Sequence, residues 1–171
     1  LKLVTSPGWA VWVLRNRPQV PVMHIVRHPG GFMNSWARRY VAEREQAEVL
    51  RQNLERLRTI ASVDPAWGER FGDIDSQDID ESELWYWLYA NQVVAEAGRG
   101  APAYRFIAYE ELAAEPARLA RPLYDACGLE WSAEIESRIG EMGTQSMEIA
   151  RAWRDKLRPE QVALAERFLD E

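Results

Sequence analysis

The chain has 171 residues, about one domain's worth, with 47% hydrophobic and 28% charged residues, a composition that excludes a disordered chain. Its formal net charge of -6 argues against a general nucleic-acid binder, and apolar stretches of only a few residues leave no room for a membrane span. A single cysteine, Cys127, excludes an internal disulfide framework and a cysteine-based zinc site, and makes a reducing, cytoplasmic compartment the simplest expectation.

The first residues, Leu1 to Thr5, have no signal-peptide layout and no initiator Met, as expected of a segment cut from a longer chain. Trp9, Val11, Trp12, Val13 and Leu14 predict a short helix over 9–17, and Pro18 and Pro21 bracket the turn after it. Val22-Met23-His24-Ile25-Val26 is a near-continuous apolar run of strand length, the pattern of a buried parallel strand, which makes His24 a core histidine. Arg27-His28-Pro29-Gly30-Gly31 stops it.

A long helix is predicted from Gly31 to about Ala61, with Trp36, Tyr40, Ala47, Leu50, Leu54, Leu57 and Ala61 on its buried face and a possible break near Tyr40. Residues 63–83 carry eight acids and one base and read as an acidic linker or solvated loop. Its Asp73-to-Asp78 run has a calcium-like look, but lacks the Gly and Glu that such a loop needs. Asp80 and Glu83 have capping-box spacing ahead of a helix over 82–97, which Gly98 and Gly100 end.

Trp85 and Trp87 flank Tyr86 on that helix, so the three cannot all face inward, and one of them is a candidate wall of an acceptor pocket. Tyr104 to Tyr109 is a second strand, followed by helices at about 109–114, 116–127, 132–141 and 160–169, with Pro116 and Pro159 in first turns. Strands separated by helices imply an α/β class, a parallel sheet with flanking helices, helix-rich, with an incomplete fold as one reading. The whole of 1–171 reads as one domain, with 42–98 as a helical and acidic insertion.

Charge is unevenly spread. Residues 1–62 hold ten Lys/Arg against four Asp/Glu, while 63–171 hold eleven against twenty-three. A local basic site in an acidic chain suits a small anion better than a polyanion. The strand at 22–26 delivers Arg27 at its carboxyl end, where open α/β sheets place ligands, and a glycine-containing turn then opens a helix whose first amides are free. Ser35 follows eight residues after Arg27, so a guanidinium and a hydroxyl are expected to converge on a phosphate.

This stretch resembles the 3′-phosphate motif of sulfotransferases that use 3′-phosphoadenosine 5′-phosphosulfate (PAPS), in which an Arg ends a strand and a Ser follows eight residues later. Three further segments are similar to that family: Tyr104-Arg105-Phe106-Ile107-Ala108-Tyr109-Glu110-Glu111-Leu112; Glu115-Pro116 with Leu123 to Leu129; and Arg151-Ala152-Trp153-Arg154 with Leu157 and Pro159-Glu160-Gln161. The resemblance implies a P-loop-NTPase-like sulfotransferase fold. It also implies transfer of a sulfuryl group from PAPS to a hydroxyl or amine of a small-molecule or glycan acceptor, leaving adenosine 3′,5′-bisphosphate.

It makes Arg27, Ser35, Tyr109, Arg151 and Arg154 candidate nucleotide contacts and gives 42–98 the acceptor side. The family's 5′-phosphosulfate loop has no counterpart here, since no Gly-x-x-x-x-Gly-Lys-Ser/Thr occurs. Thr5-Ser6-Pro7 stands where many bacterial relatives carry a Lys, and Ala108 replaces an Arg that commonly precedes the motif Tyr. Lys2 is a weak substitute base, and a catalytic role for His28 is the lesser reading beside helix capping. Two alternatives stand beside the enzyme: a non-catalytic nucleotide-binding module, and a helical interaction protein using Leu50, Leu54 and Leu57.

Overall fold

The computed structural model describes residues 6–41 and 44–171, and of Tyr40 and Thr144 the backbone alone. In chain order the elements are α1 (Pro7–Asn16), β1 (Val22–Val26), α2 (Pro29–Trp36), α3 (Gln46–Val63), α4 (Pro65–Phe71), α5 (Ile79–Gly98) and β2 (Tyr104–Ala108). They continue with α6 (Tyr109–Ala114), α7 (Pro116–Ala126), α8 (Ala133–Arg151), α9 (Trp153–Lys156) and α10 (Pro159–Arg167). A π-helical turn, Ala37–Val41, follows α2, and a 3-10 turn, Ile74–Ser76, precedes α5. Pro7, Pro65, Pro116 and Pro159 each open a helix, where the missing N–H costs nothing and φ is already helical. Two compact units divide these elements: Leu1–His28 with Asn91–Trp153, and Pro29–Ala90 with Arg154–Glu171.

In the first unit β1 and β2 lie side by side and parallel, Val22 beside Tyr104 and Val26 beside Ala108. A parallel pair needs a long crossover, and the chain supplies a helical one. The result is a helix-rich α/β arrangement with a small sheet. The strand at 22–26 was expected to be buried, and it is not. Ile25 is 50% exposed and Phe106, on the other strand, 58% exposed, whereas Ile107, the register partner of Ile25, is buried, because a sheet of two strands is too narrow to be covered throughout. Leu14, Val94, Ile107, Ala113, Ala150 and Trp153 are the buried apolar residues of this unit.

The helix expected over 132–141 runs on to Arg151. Ser132 caps its start by accepting from the Ile135 amide at 3.3 Å. Gly143 does not end it but lets a neighbour in: a Cβ there would stand 2.8 Å from Pro116 Cγ.

In the second unit the helix expected over 31–61 is broken: α2 and its π turn reach Val41, and α3 starts at Gln46. The buried face of α3 is Val49, Asn53, Leu57 and Ile60, rotated about one residue from the expected one, with Ala47 exposed and Leu50 and Leu54 half-buried. Apolar spacing missed this because Asn53 is a core residue, donating to Ser82 Oγ at 3.3 Å and to the Ile79 carbonyl at 3.4 Å. The segment 63–83 is not a linker. Asp64 accepts from the Trp67 amide and opens α4, whose Trp67 and Phe71 are buried. Gln77, also buried, donates from Nε2 to the Phe71 carbonyl at 2.7 Å.

The expected capping by Asp80 is likewise displaced: Asp78 accepts from the amides of Asp80 at 3.0 Å and Glu81 at 2.8 Å, so α5 starts earlier. Aromatic rings then form the core of this unit in a chain of edge contacts, Trp67 on Tyr89 at 5.2 Å, Phe71 on Trp85 at 5.7 Å and Trp85 on Phe168 at 4.9 Å. Trp85 faces this core, whereas Tyr86 and Trp87 are half-buried. No described helix is long and apolar enough to cross a membrane.

Candidate functional site

Parallel pairing sends both strands to their carboxyl ends on the same side of the first unit. β1 runs out into Arg27 and His28, and β2 runs directly into α6, which begins with Tyr109 and Glu110. The structure therefore brings two of the candidate nucleotide residues together: the Arg27 guanidinium carbon lies 5.1 Å from the centre of the Tyr109 ring. Arg27 Nη2 also donates to the carbonyl of Ile149 at 2.8 Å. That carbonyl belongs to the last turn of α8, where backbone acceptors have no partner within the helix. Arg27 thus closes the end of α8 as well as facing Tyr109.

Another donor of Arg27 is enclosed. Its Nε is buried and, among the described residues, has no hydrogen-bond partner. A buried donor without an acceptor is costly, and an anion oxygen would satisfy it.

The turn carrying Arg27 is gripped on both flanks. The His28 amide donates to Glu110 Oε1 at 3.1 Å, and the His28 ring stacks on Trp153 with centroids 4.4 Å apart and planes at 18°. Trp153 is 1% exposed, so this contact is part of the core of the unit. Glu110 and Trp153 lie within the motif segments, but apolar spacing gives neither a role at this turn. The usable signal was Pro29, which leaves the His28 amide as the last donor before a residue that has none.

His24 is not a simple core histidine. It is half-buried, with Nδ1 2.8 Å from the Tyr104 hydroxyl and Nε2 3.0 Å from Asn91 Oδ1. Burial holds its pKa below the usual histidine value, against a smaller opposing effect of the Asn91 bond.

Arg151 is exposed on the last turn of α8, two residues beyond Ile149. Ser35, half-buried on α2, and Arg154, exposed on α9, belong to the second unit. Lys2 and Thr5 lie outside the described residues. Among the described residues no group of three or more His, Cys, Asp or Glu is arranged to hold a metal. No protein-family model, no curated protein and no solved structure matches the chain.

Proposed function

We propose that this chain holds the 3′-phosphate of a nucleotide through Arg27, as part of a sulfotransferase that passes a sulfuryl group from PAPS to a hydroxyl or amine of a small-molecule or glycan acceptor. The observation that carries this reading is the buried, unpartnered Nε of Arg27 beside the Tyr109 ring at the carboxyl end of β1. Support also comes from the order of the sequence motifs, Arg27 with Ser35, then Tyr109, then Arg151 and Arg154.

PAPS supplies the activated sulfuryl group when bound. Arg27 would bind and orient the nucleotide through a phosphate remote from the reacting centre, so its binding energy serves positioning rather than the chemical step. By resemblance, the sequence motif also gives Ser35 a hydroxyl role and Arg151 and Arg154 a charge role toward the nucleotide. The acceptor hydroxyl needs a base, and none of these residues is suited to that role.

Calorimetric titration of the whole chain with adenosine 3′,5′-bisphosphate and with 5′-AMP tests the reading. Selective binding of the bisphosphate is expected. Arg27→Ala should cost roughly ten- to a hundred-fold in that affinity, the loss of one charged phosphate contact, with Ser35→Ala smaller in the same direction. Equal binding of the two nucleotides, or no binding, overturns it. A non-catalytic nucleotide-binding module is the second reading, since Arg27, Tyr109 and Arg151 are groups that bind an anion and do not activate an acceptor. Bisphosphate binding without turnover of PAPS would decide for it.

A further inference from the structure

The geometry points to Glu110 as the residue that positions Arg27 for its ligand, an inference that rests on the 3′-phosphate reading. The ladder between β1 and β2 ends at Val26 beside Ala108. Arg27 and His28 lie beyond it, and Pro29 follows with no amide hydrogen. The His28 amide is thus a donor that the sheet does not use. A half-buried backbone donor needs an acceptor, and Glu110 Oε1 provides it at 3.1 Å.

Glu110 can do this because β2 passes into α6 without a loop, so Tyr109 and Glu110 both arrive at the end of the neighbouring strand. Tyr109 faces the Arg27 guanidinium, and Glu110 fixes the backbone one residue further on. His28 is held from its ring as well, by the stack on Trp153. Arg27 is therefore held through the backbone of the next residue by Glu110 and in its own side chain by Tyr109 and the Ile149 carbonyl. An arginine held this way loses less conformational freedom when it takes up an anion. The carboxylate itself has no place on an anionic ligand, so what Glu110 contributes is an acceptor oxygen and not its charge.

Removal and conservative replacement separate these two properties. Glu110→Ala deletes the acceptor; Glu110→Gln keeps a carbonyl oxygen there and deletes the charge. In the full chain, Glu110→Ala should weaken adenosine 3′,5′-bisphosphate about ten-fold and leave 5′-AMP within about two-fold, while Glu110→Gln should stay within about three-fold for both. Amide hydrogen exchange at His28 should accelerate in Glu110→Ala and not in Glu110→Gln.

Three outcomes overturn the inference in distinguishable ways. Should Arg27→Ala abolish the bisphosphate preference while Glu110→Ala keeps it, the phosphate reading stands and the role of Glu110 falls. Should the unaltered chain show no preference for the bisphosphate, both fall. Should both Glu110 variants lose affinity for both nucleotides alike, with a matching fall in melting temperature, Glu110 is structural only.

Discussion

His24 on β1 is bonded to Tyr104 on β2, although its partner across the ladder is Phe106. The diagonal reach leaves the imidazole between two polar groups. Asn91 Oδ1 can only accept, so Nε2 carries the ring proton, and Nδ1 accepts from the Tyr104 hydroxyl; this tautomer follows from the network. The ring is neutral in this arrangement, in agreement with a pKa that burial lowers from 6.5.

A depressed histidine pKa makes stability depend on pH in one direction. Above pH 6.5 the ring is neutral in both folded and unfolded chains, and its full contribution is present. As pH falls below that value the unfolded chain takes up the proton first, so stability drops until pH passes through the folded value. Denaturant midpoints between about pH 8 and about pH 5 should therefore fall more steeply for the natural chain than for His24→Gln. Parallel curves for the two proteins would contradict the assignment.

Gly98 is where the Tyr104 ring comes closest to α5. A Cβ on Gly98 would stand 2.5 Å from Tyr104 Cγ and Cδ2, near the base of the side chain, where the ring cannot swing clear. Gly98→Ala should destabilise the chain by about 1–3 kcal/mol despite the better helix propensity of alanine. It should also displace the Tyr104 hydroxyl from His24 and flatten the pH dependence just described. Unfolding curves of G98A at two pH values check both effects.

The second unit holds a buried ion pair. Glu83 is 4% exposed and bonded to Arg56, whose guanidinium also lies 3.7 Å from the centre of the Tyr86 ring. Burial raises the Glu83 pKa, and Arg56 opposes that rise. Removing Arg56 leaves a buried carboxylate unpaired. Arg56→Leu should cost about 2–3 kcal/mol near neutral pH, less than for a fully enclosed pair because the Arg56 side chain is 34% exposed. A raised folded pKa means that the folded chain binds the proton more readily, so the penalty should shrink as pH falls toward about 5. Arg56→Leu with Glu83→Gln should be less destabilised than Arg56→Leu alone at neutral pH.

The start of α5 gives a direct test of its cap. Asp78→Ala removes an acceptor shared by two amides and should cost about 1 kcal/mol, with Asp78→Asn retaining most of the stability. Asp80→Ala acts elsewhere, since Asp80 accepts from Gln161 Nε2 at 2.7 Å. The two sites share the Asp80 backbone and repel one another as like charges, so the double variant should depart from the sum of the single losses, which a thermal unfolding series measures.

Local chemistry made much of the chain legible. The strands at 22–26 and 104–108 are marked by apolar and β-favouring runs that stop at Pro29 and at the acids after Tyr109, and Pro116 and Pro159 mark helix starts. Segments whose order depends on distant partners were not legible. Residues 63–83 look like an acidic loop because seven of their eight acids face solvent in part or whole, while Trp67 and Phe71 bury against α5.

At the site, the sequence alone determined that Arg27 follows a strand and precedes a proline turn, and that Tyr109 and Glu110 follow another. Strands separated by helices already implied parallel pairing; only the tertiary structure decided the register, Val26 beside Ala108, and so which residues meet at one end of the sheet. The same holds for the Ile149 carbonyl on Arg27 and the Trp153 ring on His28. Strand propensity acts through a residue's own backbone and its immediate neighbours. Strand pairing and helix docking are set by which apolar faces can be buried together across a hundred residues, and no local pattern records that choice.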